Sequence, residues 1–383
     1  MSNKVPCLPC YEDFEDCGIY LQGTGKIGVS HGKKLKNIYH LVYAPENLAL
    51  AQYNAQKAKK SRSEIQNFNA NILENLDSLY WQLKNQTYRT GVYREKWIYD
   101  PKERLIMIAP FYPDRIVHHC IINVLGEHWR HIYIENTYAC IKGRGTHKCM
   151  EDVHQALTCD RKGTKFCLKL DVRKFYDNIN HDVLKQIIRH TIADQQMLWL
   201  LDMVIDSNKQ DKGLPIGNFT SQYLANLYLA YFDHWAKEEL GIKYYFRYMD
   251  DIVVLSDSKD RLHEILDKFG LYLGSILKVE IKDNWQVFPV DSRGIDYVGF
   301  KQNHYGILLR KGILKRFFCK FRKIKEKYDI KDEGQMKHLF PSEYGWIIRC
   351  SEEHSKYIIT NCLKDEKRIS YRIARRKQAS NHP

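Results

Sequence analysis

KYYFRYMDDIVVLS, residues 243–256, sets Tyr248, Met249, Asp250 and Asp251 between two short apolar runs, KYYF (243–246) and IVVLS (252–256). Aromatic and β-branched residues on both sides of a polar tip predict a β-hairpin. Adjacent aspartates at such a tip repel one another unless a cation lies between them. The bend therefore asks for a divalent ion, and the further carboxylate that would bracket it must come from a separate strand. FCLKLD (166–171) offers one, an apolar run predicted as a buried strand that closes on Asp171. Taken singly, Asp171 reads as a helix cap or turn. Beside Asp250 and Asp251 it completes a three-aspartate set.

Composition restricts the partners. The chain has 383 residues, 44% of them hydrophobic, enough for one large domain or a few subdomains sharing a core. Sixty Lys and Arg against 46 Asp and Glu give +14, a balance suited to a polyanion, either nucleic acid or an anionic membrane surface. No apolar run is long enough to span a bilayer, and MSNKVPCLPCYEDFED lacks the basic-then-apolar order of a signal peptide. The expected location is the cytoplasm. Eleven scattered cysteines, an odd count, do not form a secreted disulfide framework. Cys7 and Cys10, with Cys17 nearby, read as an incidental turn or as a zinc site without a second CxxC or His pair. GTGKIGVSHGKK lacks the spacing of a phosphate loop, and its Gly23, Gly25 and Gly28 predict a loop or hairpin.

Periodicity places the remaining elements. Helical spacing runs from Pro45 to Lys84, and YREKWIYDPKERLIMIAP (93–110) predicts two strands around a bend at Asp100-Pro101. Residues 114–129 are helical again, with His118 and His119 adjacent and so pointing apart, which favours polar packing over a shared metal. A short helix is expected at 147–158 and helices between His181 and Ile205. Another runs from Ser221 to Leu240, capped by Thr220 or Ser221, with its aromatic stripe read as core. A helix near 259–276 and a strand pair through 278–300 follow. In RKGILKRFFCKFRKIKEK (310–327), Ile313, Leu314, Phe317, Phe318, Phe321 and Ile324 alternate with nine basic residues, so one face packs and the other suits phosphates.

FCLKLDVRKFYDNINH, GLPIGNFTSQYLANLYL, YFRYMDDIVVL and YVGF resemble, in order, successive motifs of the reverse transcriptase palm. The resemblance runs from about residue 60 to residue 345. It implies an α+β right-hand polymerase with fingers, an antiparallel-sheet palm and a helical thumb. It also implies RNA-directed DNA synthesis from deoxynucleoside triphosphates on a template RNA and primer, using two Mg²⁺ ions. Such ions, about 3.5–4 Å apart, activate the attacking hydroxyl and hold the triphosphate. By the same resemblance Asp171 and Asp250 hold both metals, Asp251 assists, and the Val172 carbonyl is a further ligand. Tyr176 falls where the family keeps an aromatic gate against a ribose 2′-hydroxyl. Lys102 and Arg104 fall where a fingers strand meets the nucleotide phosphates, with a solvated turn as the alternative for either. Lys142 and Arg144 approach the template, YVGF (297–300) corresponds to the primer grip, and Lys278 or Lys282 is the acid for departing pyrophosphate.

One motif departs from the common pattern. Most reverse transcriptases, including retroviral and group II intron enzymes, carry Gln before the second glycine and Ser-Pro near the end. Here Ile216 precedes Gly217, and Ser221-Gln222 replaces Ser-Pro. GLPIGNxTSQ is similar to the reverse transcriptases of diversity-generating retroelements, within the group II intron-like superfamily. That implies error-prone, adenine-mutagenic copying of a template-repeat RNA (mutagenic retrohoming) and a small basic accessory variability protein as partner. A Gln hydrogen-bonds where Ile supplies only shape, so Ile216, with Gly217 and Gln222 beside the nucleotide, should soften discrimination.

The expected divisions are 1–37 as an N-terminal extension of open role, 38–165 as fingers with N-terminal helices, 166–305 as palm, and 306–383 as helical thumb with a basic tail. About 80 residues after YVGF leave room for a thumb but not for an added RNase H or endonuclease module. Two alternatives stand beside the leading reading: an antiphage defence reverse transcriptase, and an RNA-binding, splicing-type cofactor whose polymerase site is idle. Clustered acids beside RNA would serve no purpose in the latter.

Overall fold

The computed structural model describes residues 19–22, 26–29, 34–99, 103–208 and 210–363. Cys7, Cys10, Cys17, the Asp100-Pro101 bend and Lys102 lie outside them. The class is α+β, as expected, with antiparallel hairpins and sheets among helices. Ile19–Gln22 pairs with Lys26–Val29, the hairpin alternative for that glycine-rich stretch. Described residues before Arg144, with Lys169–Val254 and His263–Trp285, make one compact unit; Arg144–Leu168, Leu255–Leu262 and residues from Gln286 onward make a second.

In the first unit the helical stretch 45–84 is three helices, Pro45–Ala55, Ser63–Ala70 and Ile72–Lys84. Proline suits the first position because its missing N–H has no intrahelical partner there. Asn71, at φ −128° and ψ 47°, breaks the second helix from the third. Helix Ile116–Ile132 buries Ile116, Val117, Cys120, Ile121, Leu125 and Trp129. The helix Phe219–His234 is buried almost all round from Thr220 to Asp233. A helix apolar on every side must be enclosed by protein, and this one is the core of its unit. It begins two residues earlier than expected. Asn218 is the N-cap residue, Thr220 is fully buried, and the Ser221 hydroxyl donates to the Pro215 carbonyl at 2.9 Å instead of capping.

Beside that helix, strand Tyr244–Tyr248 neighbours Asp251–Ser256, which neighbours Phe166–Asp171. What fixes the hairpin to the helix is a buried ion pair. Arg247 and Asp233 both have fully buried side chains. The guanidinium donates from Nε to both Asp233 oxygens, at 2.7 and 2.9 Å, and from Nη2 to Oδ2 at 2.5 Å. Tyr245 and Thr137 donate to the same carboxylate at 2.6 and 3.1 Å, and Arg247 also donates to the Asn226 side-chain oxygen at 3.2 Å. Removing two charges from water is costly, and only such complete hydrogen bonding offsets it.

In the second unit the expected strand pair through 278–300 is replaced. Gln286–Pro289 is a strand next in order to Phe166–Asp171, Val290–Arg293 is a helical turn, and Ile295–Tyr297 opens a separate three-stranded antiparallel sheet with Phe300–Asn303 and Gly306–Leu309. Pro289 has no N–H to continue a ladder, and Gly294, at φ +75°, redirects the chain. Helix Lys311–Tyr328 packs Phe317 and Phe321 into a core with Met336, Phe340, Ile347 and Ile358. Its opposite face leaves Lys315, Arg316, Arg322 and Lys323 exposed.

Truncating one partner of the buried pair leaves the other charge stranded. Asp233→Asn should therefore lower unfolding stability by about 3–5 kcal/mol, whereas Asp233→Leu with Arg247→Met should cost clearly less. Urea midpoints of the three proteins against wild type check this.

Candidate active site

Strand alternation sends successive side chains to opposite faces. Arg247 shares its face with Tyr245, and the strand buries Tyr245, Phe246 and Arg247 while leaving Tyr244 and Tyr248 half-buried. The chain reverses at Met249 and Asp250, and Met249 is left-handed at φ +58°. That conformation costs a non-glycine residue roughly 1–3 kcal/mol and persists only where surroundings enforce it. Arg247 Nη1 donates to the Met249 carbonyl at 2.9 Å, so the buried guanidinium that anchors the strand also holds the turn.

The turn brings two of the three aspartates together. The Val172 N–H donates to the Asp250 carbonyl at 3.2 Å, setting the end of strand Phe166–Asp171 against the tip of the hairpin. Burial first, and then the charge of Asp171, with which it shares a hydrogen bond, push the Asp250 carboxyl up to about 7 from its ordinary 3.8. Lys169 Nζ lies 3.5 Å from Asp251 Oδ2, and the Asp251 charge adds to the rise at Asp250. Lys282 Nζ lies 3.9 Å from Asp171 Oδ2. Among the described residues no three His, Cys, Asp or Glu side chains converge as a ready-made coordination cluster. The donor set nevertheless fits a hard divalent cation. Asp171 and Asp250 offer carboxylate oxygens, and a cation between them would relieve the repulsion that raises the Asp250 carboxyl.

Tyr176 touches the same turn, and the GLPIG loop is bonded to Tyr176. Tyr176 is half-buried, and its hydroxyl reaches the Met249 sulfur at 3.6 Å. Burial raises its phenol above the ordinary range, with Cys140 and Asp250 adding to the effect. The Tyr176 and Ile179 carbonyls accept from the Leu214 and Gly213 N–H groups, each at 2.8 Å, so GLPIG lies alongside the segment after Asp171. His181 secures that contact through Gly213 O at 2.8 Å and Asp206 Oδ1 at 3.0 Å. On its other side, the Ile216 carbonyl accepts from the Met107 N–H at 3.0 Å. Gly217 has φ +134°, and a Cβ there would stand 2.5 Å from the Met107 carbonyl oxygen. Only glycine permits so close an approach. Arg104 is exposed at the start of strand Arg104–Ile108, and Gln222 is exposed on the first turn of the core helix.

Of the two candidate acids, Lys282 is the one beside Asp171; Lys278 bonds back to the Ser275 carbonyl at 2.7 Å. Lys142 is exposed and Arg144 half-buried in the loop before helix Thr146–Cys159. In the second unit the YVGF segment turns through Val298 (φ +43°) and Gly299, with Phe300 stacked on Trp346 at 5.0 Å. His118 and His119 separate as expected: His118 is fully buried, and His119 stacks on Phe219 at 4.3 Å. Sequence reasoning missed Lys169, Asp233 and Arg247. Their signals were present: a lysine two residues before Asp171 in an apolar strand, and one acid and one base each set among buried apolar neighbours.

A family model described as reverse transcriptase (RNA-dependent DNA polymerase) matches residues 100–302. Protein YkfC of Escherichia coli (strain K12) is 23% identical over 221 residues, 54% of this chain and 58% of that protein, so the match spans less than two thirds of its length. Two apo telomerase structures from Candida tropicalis, one truncated from the C-terminal domain, are similar at 13% identity with TM-scores of 0.44 and 0.42. They cover 62% and 65% of this chain and 60% and 57% of their own. Since the family model spans more than half of the sequence, the chain belongs to the reverse transcriptase (RNA-dependent DNA polymerase) family.

Proposed function

We propose that this chain is an RNA-directed DNA polymerase that copies a template RNA into error-prone cDNA, with adenines as the mutated positions. The observation that carries the polymerase reading is the meeting of Asp171 and Asp250 at adjacent strand ends, with Tyr176 against the same turn. Asp171 and Asp250 would hold Mg²⁺, with the Val172 carbonyl and Asp251 as further ligands; the bound ions would activate the primer hydroxyl and neutralise the triphosphate. The chain's own groups do the rest. Tyr176 presents a flat ring where a sugar would lie and leaves no room for a 2′-hydroxyl. Arg104 and Lys102 meet the triphosphate charge, and Lys282 is the better placed proton donor for pyrophosphate. Exposed Lys315, Arg316, Arg322 and Lys323 suit a nucleic-acid backbone.

The mutagenic reading rests on the loop. Its backbone is clamped to Met107, and the one side chain between Pro215 and Gly217 is the apolar Ile216. Without an amide there, mispairs lose no hydrogen bond on entry, so discrimination relies on shape alone. The partners that follow are a template-repeat RNA, a primer, deoxynucleoside triphosphates and a small basic accessory protein. Among the described residues no helix is long and apolar enough to cross a membrane.

Sequencing cDNA made by purified protein from its adjacent noncoding RNA tests this reading. Misincorporation concentrated at template adenines is expected, and Ile216→Gln should reduce it by about tenfold. Faithful copying at adenines overturns the mutagenic reading. Asp250→Asn should lower synthesis on the order of a hundred- to a thousandfold. Tyr176→Ala should relax exclusion of ribonucleotides by about ten- to two-hundredfold, measured as the ratio of kcat/KM values.

The raised Asp250 carboxyl has a consequence for stability. Between pH 3.8 and about 7 the folded protein keeps a proton that the unfolded chain has lost, so metal-free stability falls as pH rises through that window. Thermal unfolding should show wild type matching Asp250→Asn at the acid end and falling below it by pH 8. Added Mg²⁺ should close that gap.

A further inference from the structure

Two lysines stand against the acids of the site, and one of them is placed by strand periodicity. Lys169 and Asp171 are two residues apart on strand Phe166–Asp171, so their side chains leave the same face of the sheet. The neighbouring strand begins at Asp251, and Lys169 Nζ lies 3.5 Å from Asp251 Oδ2. Both groups are partly buried, at 25% and 32% side-chain exposure, where an ion pair is screened less than at an open surface. Asp171 and Asp250 meanwhile share a hydrogen bond with each other. Lys282 stands 3.9 Å from Asp171 Oδ2, whereas the lysine beside Asp251 is closer and comes from the adjacent strand of the same sheet.

We propose that Lys169 is a positioning residue that pairs with Asp251 beside Asp171 and Asp250, so that a divalent ion must compete with its ammonium for the third carboxylate. The proposal rests on the reading of Asp171 and Asp250 as metal ligands. Its physical content is competition between cations. An ammonium beside Asp251 lowers the negative potential of the site and occupies one of its oxygens, and both effects weaken metal binding in the absence of nucleotide. A triphosphate adds its own negative charge and tips the balance toward the metal. Lys169 would then make full metal loading depend on nucleotide, which limits idle binding of ions by a site that has no substrate.

Mn²⁺ titration followed by the electron paramagnetic resonance of the free ion, without nucleotide, tests this. Lys169→Met keeps the apolar stem and removes the charge; it should tighten Mn²⁺ binding by about three- to tenfold. Lys169→Gln should do the same if the methionine variant does not fold, and Lys169→Arg should bind as wild type does. In an Asp251→Asn background the Lys169→Met effect should be clearly smaller, because only the change in potential remains, which a merely structural lysine would not produce. Unchanged or weaker binding by a folded Lys169→Met or Lys169→Gln protein overturns the proposal, as does an equal shift in the Asp251→Asn background. Should neither wild type nor the Lys169 variants bind Mn²⁺ with or without added deoxynucleoside triphosphate, the metal-ligand reading falls as well; Mn²⁺ binding and cDNA synthesis without a Lys169 effect overturn the lysine role alone.

Discussion

The buried ion pair between Arg247 and Asp233 is the constraint on which the rest of the site depends. Arg247 must lie in the core to meet Asp233, and strand alternation then fixes which residues of KYYFRYMDD face inward and which face the site. The same guanidinium reaches the Met249 carbonyl and holds a left-handed residue that would otherwise relax. Asp250 follows immediately, and its carbonyl takes the Val172 N–H from the neighbouring strand. A single desolvated cation thereby sets the helix, the hairpin, the turn and the first aspartate in register.

Around that frame the charges are arranged unevenly. Asp171 and Asp250 face each other, and burial with the Asp171 charge raises the Asp250 carboxyl; Asp251 and Asp171 each have a lysine within 4 Å. Under the proposed function, divalent ions would displace those ammonium groups and screen the carboxylates, which is the electrostatic requirement of phosphoryl transfer. The GLPIG loop contributes geometry instead of charge. Its backbone is bonded to Met107 on one side and to Tyr176 and Ile179 on the other, so Ile216 is set by the two segments that flank the site.

Much of this was legible in the sequence. Local patterns carry local structure: the hairpin at 243–256, the strand ending at Asp171 and the helices over 45–84 all follow from periodicity and polar tips. The paired aspartates were legible because two adjacent acids at a bend need an outside cation. What escaped were features set by long-range contacts. Thr220 and Ser221 look like helix caps, but the loop before them supplies the carbonyl that Ser221 prefers. The strand pair expected through 278–300 failed at Pro289 and Gly294, where the missing N–H and a positive φ send the chain into another sheet. Arg247 and Asp233 lie 14 residues apart, one on a strand and one on the helix before it, and no pattern within either segment reveals that they meet. Lys169 was hidden differently, since a lone lysine in an apolar strand is ordinarily read as an exposed position.

The central claim is that the Arg247-anchored turn delivers Asp250 to Asp171 as a shared ligand pair for a divalent ion. Anomalous diffraction from crystals soaked in Mn²⁺ tests it most directly. The account predicts a peak bridging the carboxylates of Asp171 and Asp250. A peak elsewhere, or none at these residues in a crystal where the site is open to solvent, would contradict it.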